Sequence, residues 1–117
     1  MKRHLIQTKD FEDTVESLIA KRRLKREDFD DFKKNLAENP EQGDVISGSG
    51  GIRKTRLKSA TKGKSGGFRV CYLDIEDKLI LFLLFIYAKN EQENLSQAEK
   101  IELKQLADAI KKKVRNE

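Results

Sequence analysis

The most apolar segment of the chain, Leu79 to Ala88, places the strongest constraint on its fold. From Leu79 to Tyr87 the residues read LILFLLFIY, so the segment has no polar face to turn towards solvent. A run of this length is about half of what a membrane-spanning helix needs. Because both of its faces are apolar, the segment predicts a buried strand in the middle of a sheet.

Apolar residues at helical spacing predict helices on either side of this strand. A first helix is expected over about 10–22. A second, around 29–36, ends before Pro40, because proline disfavours helical geometry in the residue before it. Ser96 and Glu99 have the spacing of a capping box and begin a final amphipathic helix.

A looser alternation of apolar residues predicts the remaining strands. A weak pattern over 3–8 indicates a short first strand, and two more are expected over 52–58 and 68–75. A glycine-rich loop joins the latter two, and Glu76-Asp77 marks the turn into the apolar strand. The 117-residue chain fits one domain, 1–117, with the element order (β)ααβββα.

The positive charge of the chain is concentrated in one window, Val45 to Leu73. The window holds seven basic residues and no acidic one. The whole chain has 25 basic and 20 acidic residues, so 18 basic and 20 acidic residues lie outside the window. A field of one sign confined to one segment attracts a polyanion such as a nucleic acid.

Several other classes of site are disfavoured by composition. Cys71 is the single cysteine and His4 the single histidine, so neither an intramolecular disulfide nor a zinc site is expected, and no metal or cofactor is predicted. Gly63-Lys64-Ser65 resembles the end of a phosphate-binding loop, but Lys58 stands where that motif needs glycine. The N-terminal residues do not form a secretory signal, so we expect a cytoplasmic protein without membrane contact.

The basic window could be a solvated surface or a site that acts on RNA. In a strand, alternate residues share a face, so Lys54, Arg56 and Lys58 are expected to project together. Arg69, on the next strand, joins whichever face its register selects.

RNA carries its own nucleophile, the 2′-OH, so cleavage needs a proton acceptor and cations around the phosphate. Lys54, between Arg53 and Arg56, is the candidate acceptor, because adjacent positive charge favours a neutral amine. The arginines would bind the phosphate and stabilise the transition state. Tyr72 or Tyr87 would stack a base or donate a proton, although both are equally compatible with burial in strands.

Three runs resemble the RelE/HigB-type toxins of bacterial type II toxin-antitoxin systems, most closely the HigB-like subgroup. They are ENPEQGDVISGSGGIRKTRL, KGKSGGFRVCYL and LLFIYAKNEQENLS, and the resemblance spans roughly Phe11 to Ile110. It implies an α+β, compact RelE-like fold, with a small antiparallel sheet packed against two N-terminal helices and one C-terminal helix.

The resemblance also implies a function and partners. The expected activity is that of a ribosome-dependent endoribonuclease, an mRNA interferase that cleaves mRNA in the ribosomal A site without a metal. The expected partners are the ribosome, mRNA and a cognate DNA-binding antitoxin, with operator DNA bound only through the antitoxin complex. A non-catalytic RNA- or ribosome-binding protein and a ParE-like gyrase-inhibiting toxin remain alternatives.

The matching motifs imply a set of site residues. The proposed catalytic residues are Lys54, Arg56, Arg69, Tyr87 and Lys89. The proposed RNA- and ribosome-binding residues are Arg53, Lys58, Lys62, Lys64 and Tyr72. The chain departs from the family pattern at Asn90, where some members have arginine, and in the last helix, which lacks the tyrosine that some members use.

Overall fold

A computed structural model describes residues 2–58, 67–92 and 94–116 of the chain. Their elements are β1 (His4–Gln7), α1 (Lys9–Ala20), α2 (Arg26–Glu38), β2 (Asp44–Val45), β3 (Arg53–Leu57), β4 (Phe68–Ile75), a 3-10 turn (Glu76–Lys78), β5 (Ile80–Ala88) and α3 (Gln97–Arg115). The predicted order of helices and strands is confirmed, and β2 is an addition to it. No helix within the described residues is long and apolar enough to cross a membrane.

The strands form one sheet in the order β1-β5-β4-β3-β2. The apolar strand β5 has neighbours on both sides, as its sequence predicts, although β4 is the middle strand. The α+β class is confirmed, and the sheet is antiparallel as expected except that β1 pairs with β5 in parallel. β1 is joined to its partner by most of the chain, so no tight hairpin turn imposes the antiparallel direction.

Helices cover the sheet on both faces and enclose two apolar clusters. One cluster joins residues of α1 and α2, such as Phe11 and Phe29, to Val70 and Tyr72 of β4. The other joins Leu103 of α3 to strand residues that point to the opposite face. Every strand residue therefore faces either the α1/α2 layer or the α3 layer.

Strand β5 contains an irregularity that shifts this alternation. Cys71 pairs with Phe85, whereas the next residue of β4, Tyr72, pairs with Leu83, so Leu84 is an extra residue in β5. A bulge of this kind changes which residues face each layer. The strand also begins one residue later than predicted, because Leu79 takes a left-handed conformation (φ 57°) to complete the preceding turn.

A tight loop before β3 contacts the C-terminal helix. Gly50 and Gly51 have positive φ, and a Cβ on Gly50 would lie 3.6 Å from the Cβ of Ala107. The Nζ of Lys111 donates a hydrogen bond to the carbonyl oxygen of Gly50. At its other end α3 begins with the predicted capping box of Ser96 and Glu99. These contacts fix α3 over the face that carries the candidate site.

Candidate nucleic-acid interface

Strand register places three of the predicted site residues side by side. Arg56 of β3 pairs directly with Arg69 of β4, and Arg69 pairs directly with Tyr87 of β5. Directly paired residues point to the same face, with Cβ atoms about 4.5–5.5 Å apart. Tyr87 belongs to the cluster that packs against α3, so the row lies on the α3 face. We call Arg56, Arg69 and Tyr87 the cross-strand row.

Lys54 lies on the same face, one row further along. It pairs with Cys71, which in turn pairs with Phe85. Two residues along a strand span about 7 Å, so the Lys54 amine and the Arg56 guanidinium can reach one ligand. Burial raises the pKa of the Cys71 thiol to about 12, which keeps it protonated at neutral pH. In the row formed by Lys54, Cys71 and Phe85, this leaves Lys54 as the candidate proton acceptor.

Asp44 is a residue of the site that the sequence does not reveal. It immediately precedes the acid-free window, and β2 brings it directly opposite Lys54. An acidic residue therefore shares the row and the face of Lys54, although the window itself contains none. In the sequence, only the position of Asp44 at the boundary of the acid-free window could have pointed to it, because a two-residue strand leaves no periodic pattern.

Tyr87 is almost completely buried, with 7% of its surface exposed. Its ring centroid lies 5.5 Å from that of Phe85. Among the described residues its hydroxyl has no hydrogen-bond partner. Burial raises the pKa of Tyr87, with a further contribution from Cys71, while the charge of Arg69 opposes the shift. The phenol is therefore protonated at neutral pH, and neither its buried ring nor its buried hydroxyl is placed to contact a base in this position.

The prediction assigns Arg53 and Tyr72 to RNA binding. The structure instead places them on the opposite, α1/α2 face of the sheet, where they contact other parts of the protein. They pair directly across β3 and β4. Tyr72 is 0% exposed, donates a hydrogen bond to the carbonyl oxygen of Pro40 at 2.7 Å and accepts one from the Gly43 amide at 2.9 Å. Nη1 of Arg53 donates to the Gly43 carbonyl at 2.6 Å. The expectation that Tyr72 stacks a base does not fit this position, because the ring belongs to the core.

Two of the other predicted lysines, Lys58 and Lys89, lie at one end of the sheet. Lys58 is exposed and directly follows β3, and Lys89 is exposed and directly follows β5. The Lys89 amide donates to the Gly67 carbonyl at 3.2 Å, which places Lys89 beside the start of β4. Lys62 and Lys64 lie outside the described residues.

Glu99, at the start of α3, is an acidic residue whose negative charge helps to raise the pKa of Tyr87. Its carboxylate accepts hydrogen bonds from the Ser96 amide at 2.9 Å and from Nε2 of Gln92 at 3.0 Å. These bonds hold the pKa of Glu99 below its usual value, so it is a weak base. No group of His, Cys, Asp and Glu within the described residues could hold a metal ion.

Comparison with known proteins decides the family. A sequence profile described as the RelE toxin of the RelE/RelB toxin-antitoxin system matches residues 21–117. The chain belongs to the RelE toxin family. Its structure is similar to that of a mutant of the E. coli toxin RelE in the free state, with a TM-score of 0.53 and 20% sequence identity over 87% of this chain and 97% of that one.

Membership of the family confirms the coarse prediction. The chain is a toxin of a toxin-antitoxin system, of a family whose general activity is ribosome-dependent RNA cleavage and whose members have an antitoxin partner. The closer relation to the HigB-like subgroup stays a prediction, as do the roles of the individual site residues.

We predict that the direct pairing of Arg56 with Arg69 lowers the stability of this toxin. Like charges directly opposite each other are destabilising, by about 0.2–1 kcal/mol. We expect Arg56→Gln to raise the free energy of unfolding in urea by a few tenths of a kcal/mol at low salt, and added salt to shrink the gain. Lys34→Gln, on the exposed face of α2, should show no such gain, and a less stable Arg56→Gln variant would contradict the prediction.

Loss of the hydroxyl should lower the free energy of unfolding at Tyr72 but not at Tyr87. Tyr72→Phe leaves the buried amide of Gly43 and carbonyl of Pro40 without their partner, which should lower the free energy of unfolding by about 1–3 kcal/mol. Tyr87→Phe removes an unpartnered buried hydroxyl and should leave stability unchanged or slightly increased. Urea unfolding of both variants checks this, and equal losses would refute the assignment of Tyr72 as the structural member.

Proposed function

We propose that this RelE-family toxin cleaves mRNA in the ribosomal A site by the 2′-OH mechanism, using the cross-strand row with Lys54. The observation that carries the proposal is the direct pairing of Arg56 with Arg69. Two arginines at directly opposite positions of a sheet share one face, so both side chains can bind the same anion. A phosphodiester of RNA is the anion that fits the family's target.

Arg56 and Arg69 are assigned to the scissile phosphate. Both remain positively charged through the reaction and can bind phosphate oxygens in pairs. Charge builds up on these oxygens when the 2′-OH attacks phosphorus, so fixed cations lower the barrier more than they stabilise the ground state.

Lys54 is assigned as the acceptor of the 2′-OH proton, with Asp44 as its partner. The Lys54 amine takes the proton as the 2′-oxygen forms its bond to phosphorus. The carboxylate of Asp44, directly opposite, then stabilises the resulting ammonium ion. Asp44 is thus a positioning residue that acts through Lys54.

We assign the Tyr87 end of the cross-strand row to the departing 5′-oxygen. The bond from phosphorus to this oxygen breaks, and the oxygen needs a proton. Tyr87 is directly opposite Arg69 and holds its proton at neutral pH. Because the Tyr87 hydroxyl itself is buried, we assign proton donation to the exposed ammonium group of Lys89 and a positioning role beside Arg69 to Tyr87. The products are a 2′,3′-cyclic phosphate and a 5′-hydroxyl, with no metal in the scheme.

The remaining lysines are assigned to the ribosome. Lys58, with Lys62 and Lys64, would contact ribosomal RNA backbone and position the toxin, since phosphate contacts fix orientation without reading sequence. The proposed setting is the cytoplasm. The proposed antitoxin is a DNA-binding protein, and operator DNA is bound through the complex of the two.

Mapping of mRNA 5′ ends in bacteria that express the toxin tests activity, substrate and site together. Wild type should arrest growth and produce cuts at codon-related positions. Lys54→Ala and Arg69→Ala should each reduce cleavage by at least about a hundredfold while ribosome co-sedimentation is largely kept. Lys34→Ala is the matched control and should cut like wild type.

The same experiment separates the alternatives. A non-catalytic ribosome binder predicts growth inhibition without new mRNA ends in any variant. A gyrase-directed toxin predicts a DNA-damage response without mRNA cleavage. Growth unaffected by abundant folded wild-type protein would overturn the proposal.

Ribosome binding should also depend steeply on salt. If six or more phosphates are contacted, affinity should fall by about three orders of magnitude or more between roughly 50 and 200 mM salt. Sedimentation of ribosomes with labelled Lys54→Ala toxin measures this without mRNA cleavage. A flat response would mean that the basic window does not contact backbone phosphates.

A further inference from the structure

Strand β2 is too short to fix its own register. It consists of two residues, Asp44 and Val45, and Asp44 lies directly opposite Lys54 of β3. Within the part of the chain that the structure describes, no strand pairs with the outer edge of β2. So short a pairing contributes little stability of its own. The position of Asp44 therefore depends on how the chain beside β2 is held.

The segment that leads into β2, residues 40–43, is bound by the hydroxyl of Tyr72. We call it the approach segment. The hydroxyl donates a hydrogen bond to the Pro40 carbonyl at 2.7 Å and accepts one from the Gly43 amide at 2.9 Å. Tyr72 is fully buried, so water does not compete for these bonds. One oxygen atom thus holds both ends of the approach segment.

Arg53 and Thr55 of β3 bind the same segment. Nη1 of Arg53 donates to the Gly43 carbonyl at 2.6 Å and to the Glu41 carbonyl at 3.4 Å. Hydrogen bonds from a charged donor are stronger than those between neutral groups. Nε2 of Gln42 donates to Oγ1 of Thr55 at 3.2 Å. Every residue of the approach segment is therefore bound from the α1/α2 face of the sheet.

Gly43 allows the approach segment to lie directly against β3. A Cβ at this position would be 2.8 Å from the Lys54 carbonyl oxygen and 2.9 Å from the Tyr72 hydroxyl oxygen. Real Cβ atoms essentially never come within 3.0 Å of another heavy atom. The Lys54 oxygen belongs to the backbone, so it cannot move aside without moving β3. Glycine thus permits the close approach that brings the next residue, Asp44, opposite Lys54.

We propose that Tyr72 and Arg53 are positioning residues for RNA cleavage, which hold Asp44 in its place beside β3. They bind the peptide groups of Gly43 on the α1/α2 face, whereas the side chain of Asp44 shares the opposite face with Lys54. Without these bonds Asp44 leaves the row, and the ammonium ion formed on Lys54 loses its partner. This inference rests on the proposed function, because it acts through the proton acceptor assigned there.

Hydrogen exchange of the free toxin tests the structural half of the proposal without any activity. Tyr72→Phe and Gly43→Ala should each speed exchange of the Asp44 and Val45 amides by at least about tenfold, because the approach segment opens locally. Phe29→Leu is the control, since it weakens the same apolar cluster without touching this segment. It should leave the exchange of β2 unchanged, and an equal effect of all three variants would refute local positioning.

A double-mutant cycle tests the catalytic half. The assay measures the rate at which saturating toxin cuts a labelled mRNA on purified ribosomes. Tyr72→Phe should lower this rate by about fivefold, but by less than about twofold when Asp44→Asn is already present, because the residue through which it acts is then altered. A merely structural role of Tyr72 predicts the same loss in both backgrounds, and that result would overturn the proposal.

Variants of Arg53 separate positioning from RNA binding. Arg53→Met removes the donor to Gly43 and should lower the saturated cleavage rate by about fivefold, with ribosome affinity kept within about twofold. Arg53→Lys keeps a cationic donor and should restore much of the rate. A loss of affinity at an unchanged saturated rate would make Arg53 a phosphate contact and contradict the assignment.

The wild-type toxin separates failure of this proposal from failure of the proposed function. If wild type does not cut mRNA on ribosomes, the proposed function fails, and positioning for cleavage fails with it. If wild type cuts and Tyr72→Phe matches it in both cleavage rate and exchange of β2, the proposed function stands and the positioning role alone is overturned.

Discussion

The structure depends on burial of β5, whose two faces are both apolar. A strand of this kind is stable only if each face is covered, and here α1 and α2 cover one face while α3 covers the other. This requirement fixes the position of α3, which begins at its capping box and is held at its far end by the contact of Lys111 with Gly50. The polar residues Lys54 and Arg56 of β3 and Arg69 of β4 lie on the α3 face, away from the apolar part of the sheet.

The register of β3, β4 and β5 turns that arrangement into a site. Backbone pairing places Arg56 directly opposite Arg69, on the face that also carries Lys54. Like charges at directly opposite positions are unfavourable in a sheet. Such local features are common where a protein binds a ligand that relieves them. The paired arginines therefore suit a site for an anion.

The toxin has two surfaces of opposite charge. The cross-strand row and its lysines present cations on the α3 face, whereas a mainly apolar groove beside β5, between the start of α1 and α3, includes Asp10, Glu99 and Glu102 in its lining. One surface suits nucleic acid, and the other repels it.

The sequence by itself determined the elements and the chemistry. Hydrophobic period, the capping box and the acid-free window predict the helices, the apolar strand and a polyanion-binding segment. Only the tertiary structure decided which residues meet. Cross-strand register depends on pairing between distant segments, and a one-residue shift exchanges the faces. This is why Arg53, adjacent in sequence to Lys54, lies with Tyr72 on the α1/α2 face, while Asp44 lies opposite Lys54.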